Sequence, residues 1–141
     1  MTSHSPITHL SDEDAWSLLG SIDVGRLATA VADQPDIAPV NFVVDGRSLV
    51  FRSAEGAKLL ALTINPAVAL EVDSWEGDSG WSVVAKGTAS QVTGTAEIEH
   101  AESLPLRPWV PTVKLHFVRI EVSEISGRQF RFGPEPDVSY T

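Results

Sequence analysis

The sequence contains no cysteine, which excludes disulfides, thiolate nucleophiles and Cys-ligated zinc or iron–sulfur centres. Basic residues are scarce too. Ten Lys and Arg face nineteen Asp and Glu, and the formal charge of -9 repels nucleic-acid backbones and anionic membrane surfaces at long range. A phosphate on a small ligand is a separate case, because one or two cations and backbone N–H groups at contact distance outweigh a diffuse, screened field. No apolar run approaches the ~20 residues that span a bilayer, and Met1 to Leu10 has neither the basic region nor the apolar core of a secretory leader. The expectation is a soluble cytoplasmic protein with no nucleic-acid or membrane partner. Also missing are a Gly-x-Gly-x-x-Gly turn, a Walker loop, a Gly-x-Ser-x-Gly elbow and a His-Glu-x-x-His pair. His4, His9, His100 and His116 are not spaced to share a metal on one element, so no metal site is expected. His116, inside an apolar strand, reads as structural. The acidic pairs along Asp12–Asp14 and Glu97–Glu102 read as solvated helix faces, and no residue stands out as a catalytic acid or base.

What is present suits one globular domain: 141 residues, 43% hydrophobic and 21% charged, with no internal repeat. Residues 1–10 are polar and aperiodic and read as a loose or partner-docked arm, residues 11–132 as the domain, and 133–141 as a frayed tail. Ser11 followed by Asp12, Glu13 and Asp14 is an N-cap with an acidic first turn, so a helix is expected up to Gly20. Val24 to Ala32 reads as a strand, Asp33 to Asp36 as its turn, and Ile37 to Val44 as the next strand, with Pro39 marking an edge or irregularity. Asp45-Gly46 is a type I′ hairpin signal, and Ser48 to Ser53 the returning strand.

A helix is then expected over 55–64, ended by Asn65-Pro66, with a strand over 67–73 and a loop over 75–80. Trp81 to Thr93 reads as a long strand with a bulge at Gly87, and 95–104 as moderately helical. Three prolines interrupt 104–111, and Lys114–Ser123 and Gln129–Phe132 read as two strands around a turn at Ser126-Gly127. Six or more mostly antiparallel strands with short helices predict a mainly β fold, a closed or nearly closed barrel.

The block from Pro39 to Asp73 is the most specific part of the chain. Val-Gly-Arg-Leu-Ala (24–28), Pro-Val-Asn-Phe (39–42), Phe-Arg-Ser (51–53) and Gly-x-Lys-Leu (56–59) follow one another in order. This series resembles the pyridoxamine 5′-phosphate oxidase-like family of FMN-binding split barrels, in its short actinobacterial form. The likeness runs from about Leu10 to Phe132. It implies a split β-barrel working as a homodimer with FMN at the subunit interface, as a flavoprotein oxidoreductase on a small-molecule substrate that the sequence does not identify.

By that resemblance Val40, Asn41 and Phe42 run beside the polar edge of the flavin. Phe51, Arg52 and Ser53 reach its ribityl chain and phosphate, and Lys58, followed by Leu59, is the phosphate lysine. A strand end, a hydroxyl, two cations and a helix N-terminus also make chemical sense as a phosphate cradle. Where the family often carries a second basic residue before that lysine this chain has Ala57, which leaves Arg52 to supply the second charge. Trp81, Ser82 and Val83 resemble the segment that faces the flavin across the dimer. Trp109 either covers the ring from the partner or packs structurally. The C-terminal Arg-x-His of true pyridoxamine phosphate oxidases is replaced by Gly127-Arg128-Gln129-Phe130, so vitamin B6 oxidation is not expected. Relatives that use a deazaflavin or haem, and a carrier or sensor without turnover, are the alternatives.

Overall fold

Strand-forming alternation dominates the chain, and the computed structural model, which describes residues 5–54, 56–106 and 116–135, shows it as seven strands with three short helices. In chain order these are β1 (Ile7–His9), α1 (Asp12–Leu19), β2 (Val24–Val31), β3 (Gln34–Asp45), β4 (Ser48–Ser53), α2 (Ala57–Ile64), β5 (Ala67–Glu76), β6 (Ser79–Gln91), α3 (Thr95–Ser103) and β7 (His116–Arg131). Every pairing is antiparallel. The order β7-β4-β3-β2-β5-β6 returns to β7, closing a barrel of six strands, and β1 adds to the free edge of β7 with Ile7 opposite Phe130. This is the expected split barrel, and part of the segment read as an arm belongs to its sheet.

The turns follow residue chemistry. The hairpin forms where expected, but its turn is not type I′: Asp45 pairs with Ser48, so the loop is Gly46-Arg47, and positive φ occurs only at Gly46 (φ 63), the pattern of a type II′ turn. The β2–β3 turn lies earlier than composition indicated: Ala32 and Asp33 take positive φ, and Pro35 is already in β3 opposite Ala30. The expected loop over 75–80 is a tight turn at Gly77 (φ 61) between two strands that extend further than expected. Gly87 is the expected bulge. The β6–β7 register shifts between Lys86 and Gly87, and a Cβ on Gly87 would collide with the Glu121 carbonyl oxygen. Ser126-Gly127 is not a turn. β7 runs unbroken through it, and Gly127 is needed for close approach, since a Cβ there would lie 3.0 Å from Leu10 Cδ1 and 3.3 Å from Ala15 Cβ. Lys114 and Leu115 of that expected strand, and residues 136–141 of the tail, lie outside the described residues.

The interior is filled by alternate residues of all six barrel strands, among them Leu27, Phe42, Phe51, Leu70, Val83 and Ile120. Ala15 and Leu19 of α1 close one end, beside Gly127, and Leu62 of α2 closes the other, near Val118. The N-cap is as expected, with Ser11 Oγ accepting from the Asp14 N–H at 3.1 Å. No helix among the described residues is long and apolar enough to cross a membrane.

The third helix lies on the outside of the barrel. Val50, whose neighbours Leu49 and Phe51 point inward, is fully buried on the outer face, and Ala101 of α3 is buried with it. Asp45 pins this arrangement: its carboxylate accepts from Arg119 Nη1 of β7 at 2.9 Å and lies 2.9 Å from His100 Nε2 of α3. Hydrogen bonding from Arg119, then from His100, holds the Asp45 carboxyl below the usual carboxylate range.

Two predictions follow from this packing. Because the native Asp45 value lies below the unfolded one, its stabilisation is complete above the unfolded value and is lost as pH falls through the native one. Asp45→Asn should therefore cost on the order of 1–2 kcal/mol at neutral pH and little in strong acid, read by urea unfolding across pH; an equal loss at both ends would contradict this. Gly87→Ala should cost about 1–3 kcal/mol, because the strand must shift to relieve the clash with Glu121; an unchanged melting temperature would contradict it.

Candidate functional site

β3 changes partner part-way along. From Gln34 to Asn41 it pairs with β2, and from Phe42 to Asp45 with β4. The Phe42 N–H donates to the Asp23 carbonyl at 3.0 Å on the β2 side, so strand alternation turns the backbone of Asn41 and Pro39 toward the side β4 has left. Pro39 has no N–H to place in a ladder and is suited to that open edge, in line with its expected irregularity. β4 meanwhile continues beside β7, with Arg52 opposite Phe117 and Ser53 opposite His116.

The parting leaves a cavity of about 250 Å³. Pro39, Val40 and Asn41 form one wall, and Arg52 and Ser53 the other. Ala54, Gly56 and Lys58, at the start of α2, make its floor. Gly56 caps the helix at φ 150, a conformation that residues with a side chain rarely adopt, so the glycine of Gly-x-Lys-Leu is what lets the chain leave β4 and start α2 within a few residues. Lys58 is thereby fixed in the first turn of the helix. The Arg52 guanidinium lies 5.1 Å from the centre of the Phe117 ring, and the buried Ser53 hydroxyl donates to the Ala54 carbonyl at 3.0 Å.

Five of the residues nominated from sequence, Val40, Asn41, Arg52, Ser53 and Lys58, thus share one cavity. The others lie elsewhere. Phe51 is fully buried inside the barrel, and Phe42 is 3% exposed, at the edge of a smaller cavity with Asp23, Asn41 and Pro105. Leu59 faces the far side of α2, toward Val118. Trp81, Ser82 and Val83 are on β6, the strand opposite β3 in the ring. Trp81 packs on the core, Val83 is wholly interior, and only Ser82 faces outward. Trp109 lies outside the described residues.

Sequence reasoning passed over Gln91 and read His116 as structural; their side chains meet at 2.7 Å in a neighbouring cavity of about 510 Å³ that Arg52 also lines. Nothing local marks them, because β7 brings His116 beside Gln91 from 25 residues away. Arg26 shares the outer face with Pro39 but is committed elsewhere, bridging Glu71 at 2.7 Å and Asp73 at 3.0 Å. Burial, and then the neighbouring Asp73, push the Glu71 carboxyl up. Among the described residues no group of three or more His, Asp or Glu is placed to hold a metal ion. The cleft is therefore equipped to bind an anion beside a strand edge, rather than for acid–base chemistry.

The family model for pyridoxamine 5′-phosphate oxidase matches residues 11–129. The chain belongs to the pyridoxamine 5′-phosphate oxidase family. Within it, the uncharacterized protein Rv3129 of Mycobacterium tuberculosis is 48% identical over 99 residues, which is 70% of this chain and 90% of that protein. A solved structure from Corynebacterium glutamicum, named for pyridoxamine 5′-phosphate oxidase, is 40% identical and superposes with a TM-score of 0.86 over 95% of this chain and all of the other. The structure of an FAD binding protein from Mycobacterium smegmatis is also 40% identical, with a TM-score of 0.78 over 89% of this chain and 99% of that one.

Proposed function

We propose that this chain binds a flavin nucleotide through its FMN moiety, at the interface of a homodimer, and supports electron transfer to a small molecule. The observation that carries this is the meeting of Arg52, Ser53 and Lys58 with the strand edge at Asn41 in one cleft. The donor set suits the group. Two cations match a phosphate, and an amide side chain on an open strand edge matches a flavin pyrimidine edge, whose donors and acceptors must be paired once buried. The similarity to an FAD binding protein of the same family supports the same cofactor class.

In this scheme Arg52 and Lys58 bind the phosphate, the Val40–Asn41 backbone orients the ring, and the Ser53 hydroxyl holds the β4 end in shape through Ala54. The bound flavin supplies the redox chemistry. The chain fixes its position, tunes it by hydrogen bonding and local charge, and excludes water. No side-chain acid or base is required, in keeping with the cleft's composition. The missing Arg-x-His argues for a substrate other than the pyridoxamine phosphate of the family's name.

A dimer follows from the openness of the cleft and from what surrounds it. The elements that line it expose Ile37 (63%), Leu60 (60%) and Ile64 (60%), large side chains that a second copy would cover. Because Ser82 faces outward on β6, across the ring from β3, it would reach a flavin in this cleft only from the partner subunit. Sedimentation at micromolar concentration should give the mass of two chains, and a monomeric mass would contradict the interface. Lys58→Ala should weaken FMN about tenfold or more while leaving riboflavin, which lacks the phosphate, within about twofold. Equal losses for both ligands would remove Lys58 from the phosphate.

A further inference from the structure

From Gln34 to Asn41, β3 pairs with β2 on one side, and among the described residues no strand pairs with it on the other. Eight residues of extended chain make about 27 Å of open edge, long enough to template a further strand. The surrounding sequence adds to that hazard. Ile37 is 63% exposed, and Val40 to Val44 is a run of β-forming residues without a charge.

Alternation sets the chemistry of the edge. Because the Phe42 N–H points to Asp23, the backbone groups of Val40, Ala38, Asp36 and Gln34 turn toward β2, and those of Asn41, Pro39, Ile37 and Pro35 turn to the open side. Both prolines of the strand therefore stand where a missing N–H takes nothing from the β2–β3 ladder and removes a donor from the edge. Only Ile37 and Asn41 present an N–H on that side, while all of these outward residues present a carbonyl. A small ligand needs one or two such groups, whereas a second strand needs the whole alternating row. We infer that Pro35 and Pro39 hold the open edge of β3 for a ligand by denying it to a second copy of the chain, whose own β3 would otherwise add to it edge to edge. The two prolines are placed symmetrically about Ile37. In the antiparallel register centred there, Pro35 of one copy would face Pro39 of the other, and only the central Ile37 pair would keep its donors. A protein that is already a dimer carries two such edges, so copies without the prolines would join into chains rather than stop at a pair.

Holding the edge for a ligand rests on the flavin proposal above; excluding a strand does not. Sedimentation of the full-length protein at micromolar concentration, with and without FMN, tests both parts. The double variant Pro35→Thr, Pro39→Thr restores both outward N–H groups and should sediment at about twice the mass of the unaltered protein or more, rising with concentration. Gln34→Thr places the same residue type in the same strand with its N–H toward β2, and should keep the unaltered mass. Pro35→Thr alone, at an exposed position away from the barrel interior, should associate less than the double variant but measurably, and it decides the question if the double variant does not fold. Saturating FMN should return the associated species toward the unaltered mass, because a ligand at residues 39–41 occupies part of the edge. Folded proline variants that keep the unaltered mass, or Gln34→Thr associating as strongly as they do, would overturn the inference. FMN that binds without reversing the association would overturn the claim that the edge is held for the ligand. Absence of FMN binding by the unaltered protein, with association of the proline variants as expected, would overturn the flavin proposal and leave the exclusion of a strand standing.

Discussion

A β-strand can offer its edge to a ligand only where a neighbouring strand has released it, and everything proposed for this protein depends on where β4 releases β3. The last pair they share is Phe42 opposite Phe51, and both side chains are buried in the barrel. Burial of side chains of this size is worth roughly 1.5–3 kcal/mol each, so sliding the register to move the parting point would be costly. Beyond that pair, β3 follows β2 and β4 follows β7. The aromatic pair thus sets the mouth of the cleft from inside, although neither ring lines its floor.

Charge works against the site globally and for it locally. A chain with net charge -9 should not attract phosphate from a distance, yet its cations are unevenly deployed. Arg26 is held by Glu71 and Asp73, and Arg119 by Asp45, where both serve the architecture. Arg52 and Lys58 are the ones carried to the cleft, Arg52 by the end of a strand and Lys58 by the first turn of a helix that Gly56 allows to begin there. At contact distance two such cations outweigh the screened field of the remainder.

Much of the barrel was legible in the sequence because its signals are local. The Asp45-Gly46 hairpin, the Ser11 cap, the meander of β2, β3 and β4 and the Gly87 bulge each rest on residues close together in the chain. The errors came where one residue type serves two purposes. Gly127 reads as a turn by composition, but it is a contact surface for Leu10 and Ala15, which only the folded chain brings near. Asp33 to Asp36 looks like a four-residue turn, yet proline is tolerated in β3 where that strand has a free edge. In the candidate site, the residues contiguous in Pro39–Asn41 and Arg52–Lys58 could be found from sequence, but alternation sends Phe42 and Phe51 inward and Asn41 and Arg52 outward. The larger cavity was not legible at all, since Gln91, Glu102 and Phe117 meet only because α3 folds back over β4.

The central claim is that a flavin nucleotide occupies the gap between β3 and β4. Amide hydrogen exchange with and without saturating FMN measures it residue by residue. Slowed exchange concentrated at residues 40–42 and 52–58 is the result this account predicts. Unchanged exchange there, with protection appearing on another face of the barrel, would contradict it.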